Sequence, residues 1–377
     1  MFAAIFALII PVSYYVGIRG WQWLRPLVKT RYAGWLYWLL YSFVAVSFPL
    51  ARADWMPRAV AQMLAVVGSY WLAIFQYALM IVIVLDLGRL LNRWRDFVPA
   101  PVIPGFRKHL GTAVVLLLAG TLVFGVWRAR TPVITPYEVT IPKVAGARKE
   151  LKVVVASDMH LGLMNGISRV EELVRVVNAQ DPDLVLLAGD IMDDQLAPFV
   201  EQNLAAELGK LKSRLGTYAV LGNHDARGAA LPTYRQELER AGIQLLEDAW
   251  VKVDGSFYLV GRKDAGYSRG GAGTRMELAD IMKGVDSSLP ILLMDHQPNR
   301  LGDAEAAGVD LQVSGHTHQG QMFPYNFITD SMYEVDWGYL QKGKTHVVVS
   351  LGFGTWGPPI RIGNKPEVVS ISVRFAP

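Results

Sequence analysis

The chain reads as an α/β layered domain preceded by an all-α membrane domain of about four helices. Three observations carry this reading. Four apolar runs fill residues 1–132. Beyond them, short and wholly apolar segments alternate with segments of helical spacing, the pattern of buried strands flanked by helices. Charge divides the chain at the same place. Residues 1–132 hold 13 Lys and Arg against 3 Asp and Glu, a net of +10, while 133–377 hold the other 24 and 30, a net of −6. The overall +4 therefore does not point to nucleic acid, because phosphate-backbone affinity comes from basic surfaces and the second half is acidic. Cysteine is absent, which excludes disulfides, thiolate metal sites and a Cys nucleophile.

The apolar runs lie at about 2–18, 33–51, 59–88 and 110–127. A spanning helix needs roughly 20 apolar residues, which the second and third supply. The first and fourth are shorter, and the first contains Pro11, which membrane helices tolerate. No positive charge precedes the first run, which argues against a cleaved signal peptide. Arg19, Arg25, Lys29 and Arg31 occupy the first loop, and Arg89, Arg93, Arg95, Arg107 and Lys108 the third. The opposite side carries Arg52, Arg58, Arg128 and Arg130. The positive-inside rule then makes loops one and three cytoplasmic and the C-terminal domain extracytoplasmic. An odd number of spans would reverse this. Tryptophans near the run ends, among them Trp21, Trp35, Trp38, Trp55, Trp94 and Trp127, read as an interfacial belt. Asp86, near the end of the third run and next to Arg89, reads as an interfacial or paired group rather than a functional one inside the membrane.

A linker and first strand follow at 133–150, with Tyr137–Ile141 alternating. Val153–Ala156, Asp183–Leu187, Tyr218–Leu221, Ile291–Met294 and Leu311–Val313 read as buried strands, and His346–Ser350 and Val368–Phe375 finish the sheet. Ile167–Ala179 has helical spacing with Ser168 as its N-cap and Glu171 three residues on. A second helix is expected through about 200–214.

Directly after five of these strands come Asp158-Met159-His160, Gly189-Asp190, Gly222-Asn223-His224-Asp225, Asp295-His296 and Gly315-His316-Thr317-His318. Side chains that leave a sheet at neighbouring strand ends converge. Acid, amide and imidazole groups gathered in this way suit two divalent ions, which neutralise a phosphoryl centre and acidify a water between them. Without thiolates, Mn, Fe or Zn fits the donor set. His109 and His346 fall outside the clusters and are not expected to be ligands.

These five blocks, in this order, resemble the calcineurin-like metallophosphoesterase superfamily. Gly315–Gln321 and the tail Gly352–Glu367 resemble its bacterial YkuE-like branch, over about 151–377. The resemblance implies a four-layer αββα sandwich and a dinuclear-metal phosphoester hydrolase. It implies that Asp158, His160 and His318 hold one metal, that Asn223, His296 and His316 hold the other, and that Asp190 bridges them. His224 would contact the phosphate and protonate the leaving oxygen, with Asp225 orienting it. Gln319 departs from the glycine often found there in this branch.

Three further expectations concern the substrate. Arg361 is a candidate phosphate ligand through bidentate hydrogen bonds, or equally the partner in a structural salt bridge. The insertion 262–289, with Arg269 and Arg275, is a candidate covering loop or a merely solvated one. Phe323, Tyr325, Phe327, Tyr333, Trp337 and Tyr339 could line a lipid groove, meet the bilayer, or pack in the core. The expected substrate is a phospholipid or a lipid-linked phosphate ester of the cell envelope, reached from a bacterial cytoplasmic membrane. The alternatives are a pyrophosphatase acting on UDP-diacylglucosamine with a cytoplasmic site, and a non-catalytic membrane scaffold.

Overall fold

A computed structural model describes residues 2–53, 55–95, 103–225, 228–266 and 274–376. Arg269 lies outside them. The chain forms two compact units, Met1–Trp127 with Gly357–Ile360, and Arg128–Trp356 with Arg361–Pro377.

The first unit holds helices α1 (Phe2–Leu24), α2 (Ala33–Leu50), α3 (Arg58–Arg95) and α4 (Ile103–Ala129). Each apolar run is a helix. Three segments are long and apolar enough to cross a membrane among the described residues: Ala33–Leu50, Arg58–Arg95 and His109–Ala129. The four-span expectation is therefore met in four helices but only three qualifying spans. α2 and α3 pack through small residues, with Ala61, Ala65, Ser69 and Ala73 buried at four-residue spacing on α3 and Ser47 buried on α2. A side chain at Gly68 would collide with the backbone of Phe48, so glycine permits the close approach. Trp35, Trp55, Trp94 and Trp127 are exposed, as an interfacial belt requires. Trp38 instead stacks on Tyr14 at 5.5 Å, and Trp21 packs on Tyr37. Asp86 pairs with both Arg19 and Arg89 at 2.6 Å and accepts a hydrogen bond from Tyr15.

The second unit is built from two six-stranded sheets. The first has the order β1 (Val133–Ile141), β12 (Glu367–Phe375), β2 (Glu150–Ala156), β3 (Leu184–Ala188), β4 (Thr217–Val220), β5 (Ile243–Leu245). The second runs β10 (Gly338–Lys342), β11 (Thr345–Val349), β9 (Leu311–Ser314), β8 (Ile291–Met294), β7 (Phe257–Gly261), β6 (Ala249–Val253). The strands expected to finish one sheet thus belong to two. β11 lies beside β9 in the second sheet, and β12 lies between β1 and β2 in the first.

The two-residue period of each strand explains the layering. Val153 and Val155 of β2, with Leu184 and Leu186 of β3, face Leu259, Leu292, Met294 and Val313 of the other sheet. Val154, Ala156, Val185 and Leu187 face outward onto Val170, Leu173 and Val177 of helix α5 (Ile167–Asn178). On the far side Val260, Ile291 and Leu293 are covered by Leu278, Ile281 and Ala304. β3 and β8 are buried on both faces and carry only apolar side chains, which is why they read as continuous apolar runs.

Two local expectations need correction. α5 starts after Gly166, which makes no side-chain cap, and Ser168 lies inside its first turn. The helix expected at 200–214 is two short ones, Leu196–Glu201 and Leu204–Leu208, broken where Asn203 turns left-handed at φ 55°.

Candidate metal centre

β2, β3 and β4 are parallel neighbours in one sheet, and β8 and β9 are parallel neighbours in the other. Their C-terminal ends open at the same edge of the two stacked sheets, and ligands bind outside the carboxyl ends of parallel strands. The five loops leaving these ends carry the five residue clusters.

They meet closely. His160 Nε2 and His318 Nε2 are 3.0 Å apart, and His318 Nε2 lies 3.3 Å from Asp158 Oδ1. On the other side His296 Nε2 lies 3.1 Å from Asp190 Oδ2 and 3.2 Å from Asn223 Oδ1. The same Asp190 oxygen is 3.9 Å from His160 Nε2. Asp158, His160 and His318 form one group able to hold a metal ion, and Asp190, His296 and His316 form another. Asp190 faces both. All seven expected ligands thus come together.

The loops reach these positions through strained backbone. Asp158, His160, Asp190, His316 and His318 have φ between 46° and 74°, a region costly for residues with a Cβ and frequent at functional sites. Glycines clear the space: a Cβ on Gly222 would strike Asp190, and one on Gly315 would strike Asp158. Gln319 is also left-handed, at φ 47° and ψ 44°. The loop therefore keeps a glycine-type conformation at that position although the residue is glutamine.

Electrostatics fit cations. Asp158 and Asp190 are fully buried. Burial opposes their ionisation, yet His318 beside Asp158 and His296 beside Asp190 hold both well below the usual carboxylate range. Burial disfavours charge on His296 as well, but Asp190 overrides it and raises its pKa. Burial brings His316 and His318 down to about 4, which keeps them neutral with lone pairs available at physiological pH. His316 Nδ1 is a buried polar atom lacking a hydrogen-bond partner, as expected of a ligand atom. His296 Nδ1 lies 2.8 Å from the Ala188 carbonyl, which leaves Nε2 free to face Asp190. His346 is used up by Tyr339 and the Thr140 carbonyl, and lies outside these groups.

One role expected from sequence is not supported by the geometry. The Asp225 carboxylate does not touch the His224 ring. It accepts from the backbone N–H groups of Gly222 and Met192 and from the Tyr234 hydroxyl, at 2.7, 2.8 and 2.8 Å. It therefore ties the third loop to the second. The His224 ring instead places Nδ1 3.0 Å from Asp194 Oδ1 and 4.0 Å from Asp193 Oδ1. Burial resists charging His224, but the Asp194 hydrogen bond and the charges of Asp190, Asp194 and Asp193 raise its pKa to about 8. Sequence reasoning missed Asp194. The signal was present in the acidic pair that follows Gly189-Asp190 by three and four residues.

Arg361 is fully buried. Its guanidinium donates to the carbonyls of Leu351, Gly352 and Gly354 at 2.8, 3.0 and 2.7 Å, and lies 3.3 Å from His318 Nδ1. A phosphate cannot reach it without unfolding this loop, so it acts as an internal latch. Arg275 and Arg262 both pair with the buried Asp295, which anchors the insertion rather than freeing its arginine for substrate. The aromatic segment is not core. Phe323, Phe327, Trp337 and Tyr339 are exposed, and helix Asn326–Met332 buries no residue.

The calcineurin-like phosphoesterase family matches residues 151–320. A transmembrane protein with metallophosphoesterase domain from Danio rerio is 32% identical over 303 residues, covering 77% of this chain and 68% of that protein. A metallophosphoesterase of Aquifex aeolicus is 34% identical over 228 residues, 60% of this chain and 85% of the relative. The Bacillus subtilis metallophosphoesterase YkuE is 28% identical over 243 residues, 59% and 79% respectively. With the helices of its first unit, the chain is a membrane protein, and it belongs to the calcineurin-like metallophosphoesterase family of metal-dependent phosphoesterases.

Proposed function

We propose that the protein is a membrane-anchored dinuclear-metal hydrolase of a phospholipid or lipid-linked phosphate ester, acting at the extracytoplasmic face of the membrane. A membrane domain through residue 132 would anchor a catalytic domain at 151–377. The observation that carries the reading is Asp190, one carboxylate placed between two imidazole-rich groups. Asp158, His160 and His318 would hold one ion, Asn223, His296 and His316 the second, with Asp190 shared. Two divalent ions, Mn, Fe or Zn by the donor set, would neutralise the phosphoryl oxygens and lower the pKa of the attacking water.

The chain supplies the rest. His224 is partly exposed at the rim of the ligand groups, with a pKa raised to about 8. It is suited to hand a proton to the departing oxygen, because a catalytic acid works best with a pKa near the working pH. Asp194 fixes its ring. Asp190 Oδ1 accepts the backbone N–H of His224 at 2.8 Å, so the proton donor and the shared carboxylate are set in one register.

Support for a lipid substrate comes from the exposed apolar side chains of one short segment. Phe327 is 63% exposed and Met332 66%, beside Phe323 and Ile328, in a chain with three candidate spans. Exposed apolar patches mark interaction surfaces. Orientation rests on loop charge. All three qualifying spans lie between the first loop and the second unit, so the side reached by that unit does not depend on whether α1 spans.

Purified enzyme loaded with Mn, Zn or Fe, offered phospholipids, lipid-linked phosphates and soluble diesters, tests the substrate. Ready cleavage of soluble diesters with every lipid ignored would discard the lipid reading. A C-terminal reporter active only in the cytoplasm would reverse the orientation and favour the UDP-diacylglucosamine-type pyrophosphatase.

A further inference from the structure

Trp356 packs beside the proposed proton donor and is left unused by the proposed mechanism. Its ring centroid is 5.7 Å from that of His224, and the residue is 49% exposed. An exposed indole is usually mobile, but this one stands on an immobilised backbone. The Gln321 side-chain amide accepts the Trp356 N–H at 2.8 Å and donates to the Trp356 carbonyl at 3.0 Å. Asn165 donates to the carbonyls of Thr355 and His160, at 3.0 and 3.1 Å, which links the residue before Trp356 to a ligand loop. The Gly354 N–H donates to the Asp158 carbonyl at 2.8 Å. Three successive residues are thus stitched to the loops of Asp158, His160 and His318, while the residue remains about half exposed.

We infer that Trp356 forms the leaving-group subsite and selects phosphate esters whose departing alcohol carries an apolar group next to the ester oxygen. The inference rests on the phosphoesterase reading and on His224 as the donor to the leaving oxygen. A group leaving toward His224 passes within contact of an indole whose centroid is one ring-packing distance away. A rigid aromatic face binds with little loss of conformational entropy, so it discriminates by contact area. Gln321 is a positioning residue in this scheme, holding the indole through the main chain. A departing alcohol with an apolar body agrees with a lipid substrate.

Benzyl and ethyl esters of phosphate and of methyl phosphate test this with the full-length, metal-loaded enzyme. The two alcohols are of similar basicity, so their ratio reports contact rather than chemistry. Trp356→Ala should lose about five- to tenfold in kcat/KM on the benzyl esters, the scale of one aromatic contact, and little on the ethyl esters. Trp356→Phe should keep most of the preference. Gln321→Ala should weaken the benzyl preference through KM while leaving kcat on ethyl esters near the wild-type value. Calorimetric binding of benzylphosphonate against ethylphosphonate supplies a readout without turnover, and Trp356→Ala should erase the difference. Equal losses on both esters would make Trp356 structural and overturn the subsite, as would no loss on either. If wild type turns over no ester, the catalytic reading fails and the leaving-group assignment falls with it, whereas turnover without any benzyl preference overturns the subsite alone.

Discussion

His224 Nδ1 lies 3.0 Å from Asp194 Oδ1, whereas the carboxylate of its sequence neighbour Asp225 faces away onto Gly222, Met192 and Tyr234. The orienting acid is thus supplied by the loop after β3, not by the motif that contains the histidine. As the proposed proton donor, His224 would act in its protonated form, so activity should fall as pH rises through its pKa of about 8. Asp194→Asn removes the hydrogen-bonded anion, lowers that pKa and should move the alkaline limb of the kcat/KM profile to lower pH. Asp225→Asn should leave the limb in place and lower thermal stability. An unmoved limb in Asp194→Asn would remove Asp194 from this role.

Metal content separates the ligands from the proton donor. Asp190→Ala should abolish turnover and reduce bound metal measured by mass spectrometry, and prolonged chelation of the wild type should do the same, reversibly. His224→Ala should retain its metal and lose roughly 10²- to 10⁴-fold in kcat, the usual contribution of a general acid. Full activity in His224→Ala would contradict the assignment, and wild type purified without chelator and holding no transition metal would favour a scaffold.

Arg361→Ala should behave as a folding variant. Three carbonyls lose their donor in a buried loop, at roughly 1–3 kcal/mol for each group left unsatisfied. A drop in melting temperature with KM nearly unchanged in the surviving enzyme is the expected result. A large rise in KM at unchanged stability would restore a substrate role.

Gln319→Gly should be neutral or stabilising by about 1 kcal/mol, since the left-handed conformation penalises a Cβ and suits glycine. The hydrogen bonds of its main chain, from its N–H to Thr317 and from Asn364 to its carbonyl, do not need the side chain. Calorimetric unfolding would show it, and a loss beyond about 1 kcal/mol would mean the side chain has an unrecognised partner.

Gly68→Leu should separate α2 from α3, because any side chain there meets the Phe48 backbone. Lower thermal stability in detergent is expected, with the metal content of the folded fraction unchanged.

Much of the molecule was legible because its signals are local. The apolar runs became helices because length and hydropathy need no partner to be read. The strands were continuous apolar runs because both faces are buried, and the clusters at their ends located the ligands. What sequence could not supply was which sheet each strand joins. β11 and β12 look alike, and only hydrogen-bonded register separates them. The orientation of Asp225, the burial of Arg361 and the exposure of Phe327 share that cause. Sequence states a side chain's chemistry, but its direction is set by which neighbours fill the space and which backbone groups need partners. The amino-acid order alone thus determined the ligand types, the α/β class and the membrane helices. The tertiary structure decided that Asp190 faces both imidazole groups, that Asp194 rather than Asp225 meets His224, and that Trp356 stands beside it. These are distances between loops far apart in the chain, and they exist only once the two sheets have packed.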